Sequence, residues 1–294
     1  MTTAITPNTP FRSGTYLTLS EYKNAPTAID YSNLVVGGTQ AQQDAELTAV
    51  INRASSWIDV HCNQTLIARQ ITEQTRTRVT PQGNLAITPA NSPLLAVSQI
   101  NYGPDPTTMV TATDPSVSWL ENSQFIYPLA QVAMTYSSAG PLSFGFPPNT
   151  RSQVYVNYTY IAGYVNTLAT GTASTSSLTV TDPTGIIAGR TYSIYDGSSS
   201  ELVTVASTYT FGSTTVPLTT PLAYAHTSAA LSELPQAVKE AAILVVTDFL
   251  KVRGDNSLTM AVTTRATSGP SVQDIIGSDL ALAQQLLRPF RRVR

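Results

Sequence analysis

Two short stretches of this 294-residue chain carry side chains whose chemistry could be put to use. The first is Asp59-Val60-His61-Cys62, which sets a carboxylate, an imidazole and a thiol almost side by side. A thiol and an imidazole within hydrogen-bond reach make a nucleophile and its base. Here they are adjacent, and on a helix neighbours diverge by about 100°, so they cannot pair. Cys62 reads instead as a small buried hydrophobe. A metal site would need further ligands, and neither a second His nor a carboxylate cluster stands nearby; His226 is far along the chain. The second stretch is the ending "RPFRRVR", with Arg288, Arg291, Arg292 and Arg294 around Phe290. Guanidinium groups recognise phosphates or carboxylates. The formal net charge of −2 supplies no wider basic field, so four arginines alone would hold nucleic acid feebly and only at low salt. A solvated, disordered tail is the plain alternative. Against it, a Phe inside the cluster reads as an anchor with a charged collar.

The remaining chemistry is thin. Tyr155, Tyr158, Tyr160 and Tyr164 lie along one strand-like stretch and could offer a face to a sugar. Tyrosine is also favoured in strands and at protein interfaces, and that reading is preferred. Asp182 and Asp196 sit in turns. Neither "VVGG" nor "AGY" has the spacing of a phosphate-binding loop or dinucleotide fingerprint, and no G-x-S-x-G elbow occurs. No catalytic residue, cofactor or metal is expected.

Composition points the same way. Hydrophobic residues make up 42% of the chain, enough for a core, but only 12% are charged, about half the usual share. Polar, uncharged surfaces rich in Thr, Ser, Asn, Gln and Tyr suit contacts with neighbours better than life as a free enzyme. The N-terminal residues show neither a basic start nor an apolar stretch. The longest apolar run, Ala241 to Val246, is too short to cross a bilayer. A soluble intracellular product with no membrane partner is expected.

The elements that must position these groups follow from periodicity. Residues 1–17, with Pro7 and Pro10, read as an extended arm with nothing to pack. A helical turn starts at Ser20 and stops before Pro26. Thr39 and Gln42 fit a capping box opening a long helix, with Leu47, Val50, Ile51, Ala54, Trp57 and Ile58 on one face. From Ile67 to Tyr164 the pattern is β, clearest where Val154, Val156, Tyr158 and Tyr160 share a face. "NTLATGTASTSS" has a linker's composition and opens a small all-β module over 167–231, with a hairpin at Asp196-Gly197. A second long helix runs from Pro235 to a stop at Gly254, with Val238, Ala241, Ala242, Val245, Phe249 and Val252 as its apolar stripe. A polar loop then leads to a short helix capped by Ser278 and broken by Pro289. The fold class is α+β. A small helical core, 1–166 with 232–294, holds a β-sheet region and an inserted β domain at 167–231. Leu47, Ile51, Ala54 and Ile58 are expected to pack on Val238, Ala242, Val245 and Phe249.

Five segments in this order resemble the head–tail connector, or adaptor, proteins of long-tailed bacteriophages of the actinobacteriophage type. They are "YLTLSEYKNAPTAIDYSNL", "DAELTAVINRASSWIDVHCNQ", "VYVNYTYIAGY", "LPQAVKEAAILVVTDFLKVRGDN" and "LALAQQLLRPFRR". The likeness covers most of the chain outside 167–231, an insert the smallest adaptors lack. It implies a structural virion protein without enzymatic activity, made in the host cytoplasm and placed at the neck. It implies a ring homo-oligomer, usually of twelve copies, that docks on the portal protein and extends the DNA channel. Genomic DNA would pass without sequence-specific binding, and a stopper or tail-completion protein would dock below. In that setting the tail residues Arg288, Phe290, Arg291, Arg292 and Arg294 meet an acidic portal surface, Phe290 seated in a pocket. The alternatives are a capsid-decorating or tail-completion protein working through its β insert, and a carbohydrate-binding module.

Overall fold

The computed structural model describes residues 14–27, 29–31, 34–80, 84–115, 118–121, 123–128, 153–253 and 272–292. Four α-helices occur among them: α1 (Leu19–Asn24), α2 (Gln40–Cys62), α3 (Gln236–Arg253) and α4 (Val272–Leu287). Seven strands precede residue 165: β1 (Arg69–Arg78), β2 (Asn84–Ile87), β3 (Leu94–Gly103), β4 (Val110–Thr111), β5 (Trp119–Leu120), β6 (Phe125–Pro128) and β7 (Gln153–Ala162). Six follow it: β8 (Asn166–Gly171), β9 (Ser177–Val180), β10 (Thr191–Tyr195), β11 (Glu201–Thr204), β12 (Thr215–Pro217) and β13 (His226–Ser232). The class is α+β with an all-β module.

The helices begin and end for local reasons. Thr18 Oγ1 accepts from the Glu21 N–H at 3.1 Å, and Glu21 returns a carboxylate oxygen to the Thr18 N–H at 2.7 Å. This capping box opens α1 at Thr18, two residues before the expected start at Ser20. The Thr39 N–H donates to Gln42 Oε1 at 2.8 Å and opens α2. Asn63, in the left-handed conformation at φ 54°, ends α2. The N–H groups of Asn63 and Gln64 then reach back to the carbonyls of Val60 and Asp59, a Schellman closure. Pro235 stands immediately before α3, and its carbonyl accepts from the N–H groups of Val238 and Lys239.

Leu47, Val50, Ile51, Ala54, Ile58 and Cys62 from α2 lie in one buried cluster with Val238, Ala241, Ala242, Val245, Val246 and Leu250 from α3. Phe249 packs on it half-buried. Each fully buried Leu, Ile or Val contributes about 1.5–3 kcal/mol, so this seam carries much of the fold's stability. α3 has more than a stripe inside: Lys239, Thr247 and Asp248 are buried as well, because α2 and α4 pack on it and Glu21 and Tyr22 of α1 meet Lys239 and Thr247. Ala283 and Leu287 of α4 complete the cluster.

β1, β7, β3 and β4 form an antiparallel four-stranded sheet in the order β1-β7-β3-β4. β2, β6 and β5 form a second, three-stranded sheet. Their shared core holds Leu85, Ile100, Phe125, Val154, Val156, Tyr158 and Tyr160. The last six strands form a sheet in the order β11-β10-β13-β8-β9-β12. It curls on itself, since Val205 after β11 bridges Leu218 after β12, and it has its own core of Val165, Val180, Tyr192, Val203, Val216 and others.

Several expectations differ from this. Residues 14–17 are no free arm: Tyr16 and Leu17 are fully buried, and the Tyr16 hydroxyl accepts from the Leu66 N–H at 2.9 Å. Residues 1–13 of the expected arm lie outside the described residues, as do Gly254 and most of the loop after it. "NTLATGTASTSS" is no linker. It contains all of β8 and the start of β9, with Thr167 and Ala169 facing the core. Ser278 is no cap, because α4 already begins at Val272. The turn at Asp196-Gly197 is longer than a two-residue hairpin, since a 3-10 turn at Gly197–Ser199 joins β10 to β11.

Candidate docking site at the C-terminal end

Pro289 breaks α4 at Leu287, and residues Arg288–Phe290 turn into a 3-10 segment. That turn returns the chain to the end of α2. The Arg292 N–H donates to the Cys62 carbonyl at 2.9 Å, satisfying one of the orphan carbonyls at that helix terminus. Gln64 Nε2 donates to the Phe290 carbonyl at 2.8 Å. The Phe290 ring is half-buried against the helical core and meets Tyr164 edge to face, with ring centroids 6.5 Å apart.

The predicted tail residues therefore divide. Phe290 is an internal anchor, and its ring is turned onto its own chain, not presented as a plug for another protein's pocket. A Phe whose neighbours are one Tyr and an apolar core gains more by staying there than by facing water. Arg288 and Arg291 are exposed, and Arg292 is half-buried with its backbone engaged. Arg294 lies outside the described residues. The core residues Leu47, Ile51, Ala54, Ile58, Val238, Ala242 and Val245 are buried in one cluster, against which Phe290 packs.

Charge and burial around the tail are settled by its neighbours. Arg291 sits close enough to His61 and Cys62 to act on both. Burial, helped by Arg291, holds the His61 imidazole below its ordinary value, so its ring is neutral at pH 7. That ring stacks on Trp57, 5.2 Å between centroids and 7° between planes. Burial and nearby Asp59 push the Cys62 thiol up to about 12, despite Arg291, which leaves it unreactive. Cationic Arg291 beside the C-terminal end of α2 is also favoured by the helix dipole.

The tyrosines do not line one face. Tyr158 and Tyr160 are buried, and both donate to Glu73, at 2.9 and 2.7 Å. Glu73 also accepts from the Ala90 N–H, so this cluster fastens the 90–93 loop. Burial first, then the Glu73 charge, raises the Tyr158 phenol well above its usual range. Tyr155 points the other way, beneath the Arg76 guanidinium at 4.2 Å. The four tyrosines therefore do not make one exposed row.

One arrangement escaped the sequence reading. His226, 1% exposed, places Nδ1 2.9 Å from Asp196 and Nε2 2.8 Å from Glu201. Glu201 also accepts from the N–H groups of Ala223 and Tyr224. The group ties the β10–β11 turn to the loop before β13 and leaves no ring nitrogen free for catalysis. Separations of 25 and 30 residues hide it in the sequence. Among the described residues no three His, Cys, Asp or Glu side chains are set to hold a metal ion.

No family model and no curated protein matches the chain. Two solved chains resemble it along most of its length. One belongs to the neck of an empty gene transfer agent particle, with 12% identity over 95% of this chain and 94% of that one, at a TM-score of 0.35. The other belongs to the virion of a native gene transfer agent particle, with 11% identity over 95% and 91%, at a TM-score of 0.40. Both scores are too low to establish a common fold.

Proposed function

We propose that this chain is a structural virion protein, a head-to-tail adaptor that docks on a portal through its C-terminal arginines. The observation that carries the reading is the division within the tail: backbone and Phe290 pinned, Arg288 and Arg291 exposed. A guanidinium on a held backbone loses less freedom on binding than one on a loose tail. The order of the five adaptor-like segments and the low charge of the chain support it. A ring of copies multiplies weak contacts. If each tail contributes about 1 kcal/mol, twelve together hold the ring firmly. The ring extends the DNA channel and receives the stopper or tail-completion protein.

The test is co-sedimentation with the purified portal. Arg288→Glu/Arg291→Glu keeps the tail's backbone contacts and reverses the charge it presents. Loss of co-sedimentation by the double variant, with the wild type retained, is the expected result. Undiminished docking would refute the role given to the tail.

A further inference from the structure

With Phe290 turned inward, the described part of the tail offers charge but no exposed large apolar anchor. The end of α2 supplies one. Trp57, Val60 and His61 stand at i, i+3 and i+4, so their side chains are neighbours on one face. Val60 is 80% exposed, among the most exposed large apolar side chains of the described residues. Beside it lies the flat Trp57–His61 stack, half-buried and uncharged at neutral pH. The Arg292 N–H bond to the Cys62 carbonyl brings Arg291 to this end of α2, and exposed Arg288 is three residues before it. Asp59, at the same end of α2, accepts a hydrogen bond from the buried Tyr16 hydroxyl.

We infer that Trp57, Val60 and His61 of α2, together with Arg288 and Arg291, form one composite docking surface for an acidic protein segment carrying an apolar side chain. The apolar group seats on Val60 and the ring stack, while its flanking carboxylates meet the two guanidinium groups. Charge complementarity selects this occupant, because Arg288 and Arg291 are exposed and Asp59 is already engaged by Tyr16. An apolar centre with a polar rim is also the usual build of a protein interface. The proposal deepens the adaptor reading, in which the segment belongs to the portal.

The experiment compares wild type, Val60→Glu, Trp57→Ala and Arg288→Glu/Arg291→Glu, each first checked for an unchanged melting temperature. Binding is measured to the purified portal and, separately, to a synthetic helical peptide with a Leu stripe flanked by Glu. Val60 is exposed, so its substitution leaves the fold intact. Weakening of portal binding by at least tenfold in Val60→Glu supports the surface. Portal binding lost in the arginine variant but kept in Val60→Glu overturns it and leaves the adaptor reading standing. Peptide binding that depends on Val60, without any portal binding, supports the surface and sinks the adaptor reading. No binding to either probe overturns both. A change of oligomeric state in Val60→Glu with portal binding intact makes the patch a contact between copies and overturns the proposal.

Discussion

The Arg292 N–H and the Cys62 carbonyl, 230 residues apart in the chain, are joined by a hydrogen bond of 2.9 Å. Arg292 thus caps the end of α2, and the segment 288–292 is part of the folded body.

Removing the tail and removing its charge should therefore have different effects. Deletion of 288–294 takes away the Phe290 packing and two hydrogen bonds, and should cost about 3 kcal/mol of stability. Phe290→Ala alone should cost about 1–2 kcal/mol, since its ring is only half-buried. Arg288→Glu and Arg291→Glu, at exposed positions, should stay within about 0.5 kcal/mol of wild type. Urea titration of the four proteins checks the ranking.

Lys239 is 3% exposed, pairs with the Glu21 carboxylate and lies 4.1 Å from the centre of the Tyr195 ring. One ammonium thus joins α1, α3 and the β module. Lys239→Met strands a buried Glu21 and should cost about 3–5 kcal/mol. Glu21→Gln keeps an acceptor for the Thr18 N–H, so Lys239→Met/Glu21→Gln should recover much of that loss. A double-mutant cycle measures the coupling.

Asp248 is 4% exposed, and its Oδ1 has no hydrogen-bond partner. Burial, and then the Asp279 charge, raise its carboxyl above the ordinary value of 3.8, with Lys251 opposing. A raised carboxyl favours folding fully below pH 3.8, and the benefit is lost as pH climbs through the folded-state value. Asp248→Asn should raise the melting temperature at pH 7 by about 2–4 °C. It should change little at pH 3.5. Melting curves between those limits test the slope, and a variant less stable at pH 7 would contradict it.

Cys62 should resist a thiol-specific reagent in the native protein and react once denaturant opens the helical core. Its burial and raised thiol value both forbid the native reaction. Rapid labelling without denaturant, followed by absorbance, would contradict the packing described.

Much of the scaffold was legible because it obeys one-dimensional periods. Leu47, Ile51, Ala54 and Ile58 recur at helical spacing, and a Thr39–Gln42 cap announces them. Val154, Val156, Tyr158 and Tyr160 share strand parity, and that parity already placed the two tyrosines with the valines in the core. Reading Tyr155 together with them ignored it, and Tyr164 lies past the end of β7 at Ala162. Composition misled at 166–177, where Ser, Thr and Gly suggest a linker but Asn166–Gly171 form a strand of a curled sheet, with Thr167 and Ala169 inside. The site was harder, because it is built from distant parts. Nothing local marks Phe290 as the partner of Tyr164, or Val60 as the exposed neighbour of a stack.

Electron microscopy of particles carrying a gold-labelled tag on this chain is the most direct measurement. The adaptor reading predicts label at the single head–tail junction and nowhere else on the particle. Label spread over the capsid faces, or particles whose necks are assembled without the chain, would contradict it.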